Sequence, residues 1–416
     1  MSAVLSKKPA GQPASGTSLP NLAGGYLARI RGGDMGALPA VTALIVLCVF
    51  FWIAQPTFMT QGNFANLFTQ GGAGIVIAMG LIFVLLLGEI DLSAGFTSGV
   101  CAAVLAVTLT QHGWPWYAAV AVSVLTGMVI GLVLGLVVVR IGIPSFVVTL
   151  AAFLALQGVA LKIMDNGTNI SIRDKTVVAI ANNNVPIWLG WVMWAVAVLG
   201  FAAVLLRRHR GRITRGLASE GLTVIALKAA GLAVLLGVGV LVLSAERSRN
   251  PAFHSLKGMP IVVPLIAVLL IAWTFVLNRT SFGRHIYAVG GNQEAARRAG
   301  IDVDRIRITA FVLCSTMAAV GGLIAASRAN SVDPNTGGSD VLLKAVGAAV
   351  IGGTSLFGGR GRMLDAVLGG MVIAVIDNGM GLMGYSAGTK FIVTGLVLLL
   401  AAGVDALSRK RASPGR

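Results

Sequence analysis

Apolar residues in this chain recur in runs of about eighteen or more, divided by short polar connections and lacking the alternation of a strand. A run of that length coils into a helix able to cross ~30 Å of hydrocarbon. The missing period-two pattern excludes a β-barrel. Twelve such segments are readable, near 37–54, 71–88, 92–110, 116–139, 145–164, 187–206, 222–243, 260–277, 308–327, 340–356, 364–383 and 389–406. The pattern predicts an all-α, polytopic helical membrane protein of about twelve transmembrane helices.

Composition agrees. Of 416 residues, 56% are hydrophobic and 11% charged, so a soluble fold would expose large apolar surfaces. The net charge of +17 would point to nucleic acid in a soluble chain. Here the charge sits in short loops, and no basic stripe with interleaved aromatics exists. With the N-terminus inside, inward connections and tails hold 22 of the 32 Lys and Arg, including Arg207, Arg208, Arg210, Arg212 and Arg215 in one loop. Outward loops hold six: Arg173, Lys175, Arg247, Arg249, Lys257 and Arg328. The positive-inside rule then places both termini in the cytoplasm.

Residues 1–36 read as a disordered cytoplasmic tail without a cleavable signal, 37–408 as the transmembrane domain, and 409–416 as a basic cytoplasmic tail. Residues 207–257, two polar or arginine-rich loops around one span, read as an insertion of about two helices. Cys48, Cys101 and Cys314 fall in apolar runs, without the spacing of a zinc site or disulfide framework.

Four polar segments interrupt the apolar pattern. In Gly88–Gly95, Glu89 and Asp91 abut a span. The glycines allow a turn, and Asp91 or Ser93 can cap the next helix; the alternative is a part in a pathway or gate. In Gly352–Arg362, five glycines surround Thr354 and Ser355. The phosphate-cradling pattern G-x-x-x-x-G-K-[S/T] is missing, so the chain is not expected to bind ATP; an unwound turn or close helix crossing fits better. Lys344, in the preceding span, reads first as snorkelling and second as facing a pathway. Asn378, within Asp377-Asn378-Gly379, either bridges helices or lines a path for a sugar-sized solute.

The fourth segment is Ser281–Ile301. Asn292 can cap a helix of about two turns, Glu294 suits its positive end, and Gly300 suits its stop. Ala295, Ala296 and Ala299 leave low relief, and Arg297 and Arg298 would complement an acidic cleft. A docking site for an external partner and a helix lying on the membrane surface are equally compatible with these residues. A faint echo between 145–150 and 390–395, and between 88–95 and 352–359, is equally compatible with internal duplication around a pathway and with coincidence in low-complexity apolar sequence.

Gly88-Glu89-Ile90-Asp91-Leu92-Ser93, Ile143–Leu150, the Gly283–Gly300 loop and Val350–Leu356 occur in an order that resembles the permease subunits of ABC sugar importers of the ribose/xylose/arabinose/galactose class. The resemblance covers roughly residues 38–408, and the insertion near 207–257 is similar to that of the longer, xylose-type members. It implies a type II-like importer permease in the bacterial inner membrane, homodimeric, with the pathway at the subunit interface. It implies import of D-xylose or a related pentose. The implied partners are a cytoplasmic ATPase, which binds the ATP and Mg, and a periplasmic sugar-binding protein. Within the loop 278–307 it assigns coupling to the ATPase to Gly290, Gly291, Asn292, Glu294, Ala295, Ala296, Arg297 and Gly300. It does not say which side chains meet sugar, so Glu89, Asp91, Ser93, Thr354, Ser355 and Asn378 stand as pathway or gate candidates. An ion-coupled secondary transporter, and the same architecture serving a nucleoside or autoinducer sugar, are the alternatives. An intramembrane enzyme lacks a nucleophile–base or metal constellation.

Overall fold

The computed structural model describes residues 36–165, 167–217, 219–248 and 255–412. The expected N-terminal tail, apart from Gly36, and residues 413–416 lie outside them. All twelve apolar segments are helical. They are α1 (Leu38–Ala54), α2 (Gln61–Leu86), α3 (Ala94–Ala106), α4 (Trp116–Leu136), α5 (Ser145–Ile163), α7 (Ile187–Ile213), α8 (Leu222–Ser244), α9 (Val262–Arg279), α12 (Val303–Ala329), α13 (Ser339–Gly352), α14 (Met363–Leu382) and α15 (Ala387–Ala412). Three short helices complete the order: α6 (Lys175–Asn182), α10 (Ser281–Gly291) and α11 (Gln293–Arg298). A π turn prolongs α3 to Gln111 and another prolongs α4 to Ile141. Among the described residues, nine helices are long and apolar enough to cross a membrane. At 14 residues α13 is not; it spans only ~21 Å.

Helix ends depart from the apolar runs where polar side chains find partners. α2 starts at Gln61, not near 71, because the Thr60 hydroxyl caps it and Asn63 and Gln70 meet Asn378 across the bundle. α12 starts at Val303 because the Asp302 carboxylate accepts from the Arg305 N–H at 3.1 Å. The segment 281–291, read as loop, is a helix capped by the Thr280 hydroxyl.

The bundle is built around α2, α3, α12 and α14, whose membrane-length stretches are mostly buried. Their contacts depend on small residues. Gly127, Gly131 and Gly135 form one stripe of α4 against α12; a Cβ on Gly127 would come within 2.7 Å of the Ser315 carbonyl oxygen, and one on Gly135 within 2.9 Å of Ile308 Cα. α7 and α8 lie at the rim as a pair, joined by the Trp194 indole donating to the Ala233 carbonyl at 2.9 Å. Only 6% of the α7 stretch is buried. The peripheral pair begins at Ile187.

Loops sort onto two ends. At one, Ile170–Ser171 (β1) pairs with Ser331–Val332 (β4), Asn184–Val185 (β2) pairs with Met259–Pro260 (β3), and Gln55 donates to the Leu382 carbonyl at 3.0 Å. At the other, residues 87–93, 280–302 and 353–362 pack together.

Candidate functional site

That second end collects three of the four polar segments. The Gly359 N–H donates to the Leu86 carbonyl at 2.8 Å, joining the glycine turn after α13 to the end of α2. Gly290 of α10 lies over this junction: a Cβ there would collide with the Leu86 carbonyl oxygen and sit 2.9 Å from the Gly359 nitrogen. At this position, the last but one of α10, no side chain is tolerated because backbone meets backbone. Tyr287, one turn earlier, donates its hydroxyl to the Gly361 carbonyl at 2.7 Å. Burial, with Asp365 nearby, pushes this phenol above its usual range, so it stays a donor. Asp365 in turn accepts from the Arg362 N–H at 2.8 Å and from Thr354 Oγ1 at 3.3 Å, fixing the turn to the start of α14.

α11 stands out from this junction. Asn292 Oδ1 accepts from the Ala295 N–H at 2.9 Å. At the other end the Gly300 N–H reaches the Arg297 carbonyl at 3.0 Å and the Ile301 N–H reaches the Ala296 carbonyl at 3.1 Å. Gly300 has φ +82, the left-handed stop that glycine accepts without penalty. Gly291, Asn292, Glu294, Ala295, Arg297 and Gly300 are exposed, whereas Ala296 is 4% exposed and belongs to the chain's own core. As a contact for an outside partner, Ala296 is therefore corrected: the small side chain permits packing inward. Its exposed neighbour Ala295 is the low-relief position.

The remaining candidates are distributed as follows. Asp91 is fully buried, and its Oδ1 accepts from the Ser93 N–H at 2.9 Å and hydroxyl at 2.6 Å, which turns the chain into α3. Ser93 is the N-cap position but makes no cap bond itself. Glu89 pairs with Arg307 of α12 at 2.5 Å, both side chains under a fifth exposed. No local pattern singles out Arg307 as this partner, since it lies 218 positions away in the first turns of a different span. Thr354 and Ser355 are buried in the glycine turn; Ser355 Oγ accepts from the Phe357 N–H at 3.1 Å. Asn378 exchanges two 2.8 Å hydrogen bonds with Asn63, so it bridges α14 to α2.

None of these six lines the cavity that the bundle does contain. That cavity, of 510 Å³, lies toward the opposite end between α2, α3, α12, α13 and α14. Its polar wall is Gln70, Ser98, Arg328, Asp340, Lys344 and Asp377. Lys344 does not snorkel out alone; its ammonium lies 2.6 Å from Asp377 and 3.0 Å from Asp340. Asp377, next to Asn378 in the chain, faces this cavity, while Asn378 turns to Asn63 and Gln70.

The polar segments thus gather at one end of the bundle, and the polar cavity lies toward the other. Residues 63–402 match the protein family described as "Branched-chain amino acid transport system / permease component". The chain belongs to this family. As a member of the branched-chain transport permease family it is a multi-pass membrane permease subunit and not an enzyme. It is 33% identical over 388 residues to the xylose transport system permease protein XylH of Escherichia coli, covering 93% of this chain and 96% of that one. The XylH protein of Haemophilus influenzae is 32% identical over 92% of this chain and 99% of its own. The ribose import permease protein RbsC of Escherichia coli is 28% identical over 88% and 92%. No solved structure matches the chain.

Proposed function

We propose that this permease forms the transmembrane path of an ATP-driven importer for D-xylose or a related pentose. It works as a homodimer in the bacterial inner membrane, with about twelve membrane helices and both termini in the cytoplasm. A separate cytoplasmic ATPase holds ATP and Mg, and a periplasmic sugar-binding protein delivers the solute. The names of the relatives, alike over nine-tenths of this chain, support the sugar class. The arginine-rich C-terminal end of α7 with Arg215 just beyond it, at the same end as α11, supports the orientation.

The observation that carries the reading is the fit of Gly290 onto Leu86 and Gly359. Through it a push on α11 reaches the end of α2 and the turn before α14 with no flexible side chain between them. A second route runs through the Asp302 cap into α12 and from Arg307 to Glu89. Closure of the ATPase would displace α10 and α11 together, and the helices joined to them would rock to open the path alternately to each side. Selectivity resides in the binding protein, so the path itself needs little affinity.

The test is reconstitution into vesicles. Uphill accumulation of labelled D-xylose is expected only when the ATPase, ATP and the binding protein are all supplied, with D-ribose and leucine as competitors. Concentration of sugar by the permease alone would overturn the proposal, and accumulation of leucine in place of sugar would overturn the solute class.

A further inference from the structure

Ionisable side chains within an apolar layer are costly and persist where they meet water, a partner or a solute. The 510 Å³ cavity gathers four ionisable side chains, Lys344 and Asp377 from within apolar helices and Arg328 and Asp340 from helix ends. Arg328 and Lys344 are cationic, Asp340 and Asp377 anionic, so the formal charges cancel and the site has no net pull on an ion. What it offers instead is a mixture of hydrogen-bond donors and acceptors.

That mixture is incompletely paired. Lys344 is held by both carboxylates, yet Asp377 Oδ1 is buried without a partner. Gln70 uses its carbonyl oxygen to accept from Asn378 at 3.2 Å, leaving its amide nitrogen without a partner among the described residues. Arg328 is exposed at the cavity wall and has neither ion pair nor hydrogen bond among them. The buried, unpartnered Asp377 oxygen needs an explanation, and free donors on Gln70 and Arg328 face the same cavity. A hydroxyl both donates and accepts, so a solute carrying several can pair with acceptors and donors at once. Gly71, Gly74 and Gly370 keep other parts of the wall free of side chains, and the volume is that of a small-molecule pocket.

We infer that this cavity is a transit site for a neutral polyhydroxylated solute of pentose size, its hydroxyls held by Lys344, Asp340, Asp377, Arg328 and Gln70. The inference rests on the importer reading above and adds the place and chemistry of the solute's stop. Binding must compete with the 2.6 Å Lys344–Asp377 pair, which keeps it weak enough for release onward.

The experiment is saturation-transfer NMR on the full permease in lipid nanodiscs, with D-xylose as the probe and leucine as the control. Wild type should show weak, saturable transfer from D-xylose and none from leucine. Arg328→Gln should weaken binding by about ten-fold or more; since Arg328 is exposed and unpaired, this variant keeps the fold. Lys344→Met should weaken it similarly. Absence of saturable transfer to wild type, or unchanged binding in both variants, would overturn the transit site. Preferential binding of leucine would do the same. Uptake by the full complex, measured in parallel, separates the two ideas. If the complex accumulates D-xylose while the permease shows no such binding, the transit site alone falls; if it accumulates no sugar, the importer reading falls.

Discussion

Gly290→Ala tests whether the protrusion is rigidly joined to the bundle. The added methyl would meet the Leu86 carbonyl oxygen and the Gly359 nitrogen, both backbone, so no side chain can swing away. Overfilling a packed contact costs about 1–3 kcal/mol. Parting α10 from the junction would also strain the Gly359 to Leu86 hydrogen bond of 2.8 Å, worth about 1 kcal/mol. The next residue supplies the control: a Cβ on Gly291 has no atom within 4 Å, and Gly291 is exposed. Thermal unfolding of the purified permease, followed by size-exclusion recovery after heating, should place Gly290→Ala several degrees below wild type. Gly291→Ala should coincide with wild type. Within the assembled transporter, Gly290→Ala should also lower sugar uptake per ATP hydrolysed. Equal thermal stability of the two variants would refute the reasoning, because it rests on the difference in what lies beyond each Cβ.

Removing either member of the Glu89–Arg307 pair, by Glu89→Ala or Arg307→Ala, leaves the other charge largely buried and should cost about 2–3 kcal/mol; the double variant should recover part of it in a thermal-stability cycle, and strict additivity would argue against the pair. Ala296→Glu should reduce the yield of folded protein because Ala296 is buried, whereas Ala295→Glu should fold normally and lose stimulation of the ATPase. Asp91→Asn should be nearly neutral in uptake and stability, since the amide oxygen can still accept from Ser93, while Asp91→Ala forfeits both bonds and should cost about 1–3 kcal/mol; a large loss in the Asn variant would assign Asp91 a charge-dependent role. Glu246, in the loop after α8, is held down to about 2 from 4.5 by the Ser255 hydroxyl and the Ser248 and Leu256 N–H groups. A depressed carboxylate contributes stability above its unfolded pKa and loses it as pH falls toward the folded one, so amide exchange at Leu256 should stay protected from pH 7 to about 4.5 and loosen between about 4.5 and 2, a dependence that Glu246→Gln should abolish.

How much was legible depended on distance along the chain. Asn292 and Gly300 were readable as cap and stop of α11 because both act within one or two helical turns. The turn into α3 was readable from Gly88, Asp91 and Ser93 for the same reason. The pairing of Lys344 is not legible because its partner Asp377 lies 33 positions away on another helix, and hydropathy cannot tell a lone ammonium from a paired one. Ala296 was assigned outward because alanine suits an exposed low-relief surface and a tight internal contact equally well. The glycine stripe 127, 131, 135 carried a usable spacing signal, but which helix it meets was not in it.

By itself the amino-acid sequence determined that this protein lies in a bilayer as a bundle of helices and where nearly every helix falls. Apolar run length and local caps settle those questions, and both act between near neighbours. Only the tertiary structure decided that α13 stops after 14 residues, that Glu89 meets Arg307, and that Gly290 seats against two distant backbones. It also decided that four charges share one cavity. Each of these depends on helix pairs whose apolar faces are chemically alike, so the choice among them is made by shape and by long-range pairing of buried polar groups.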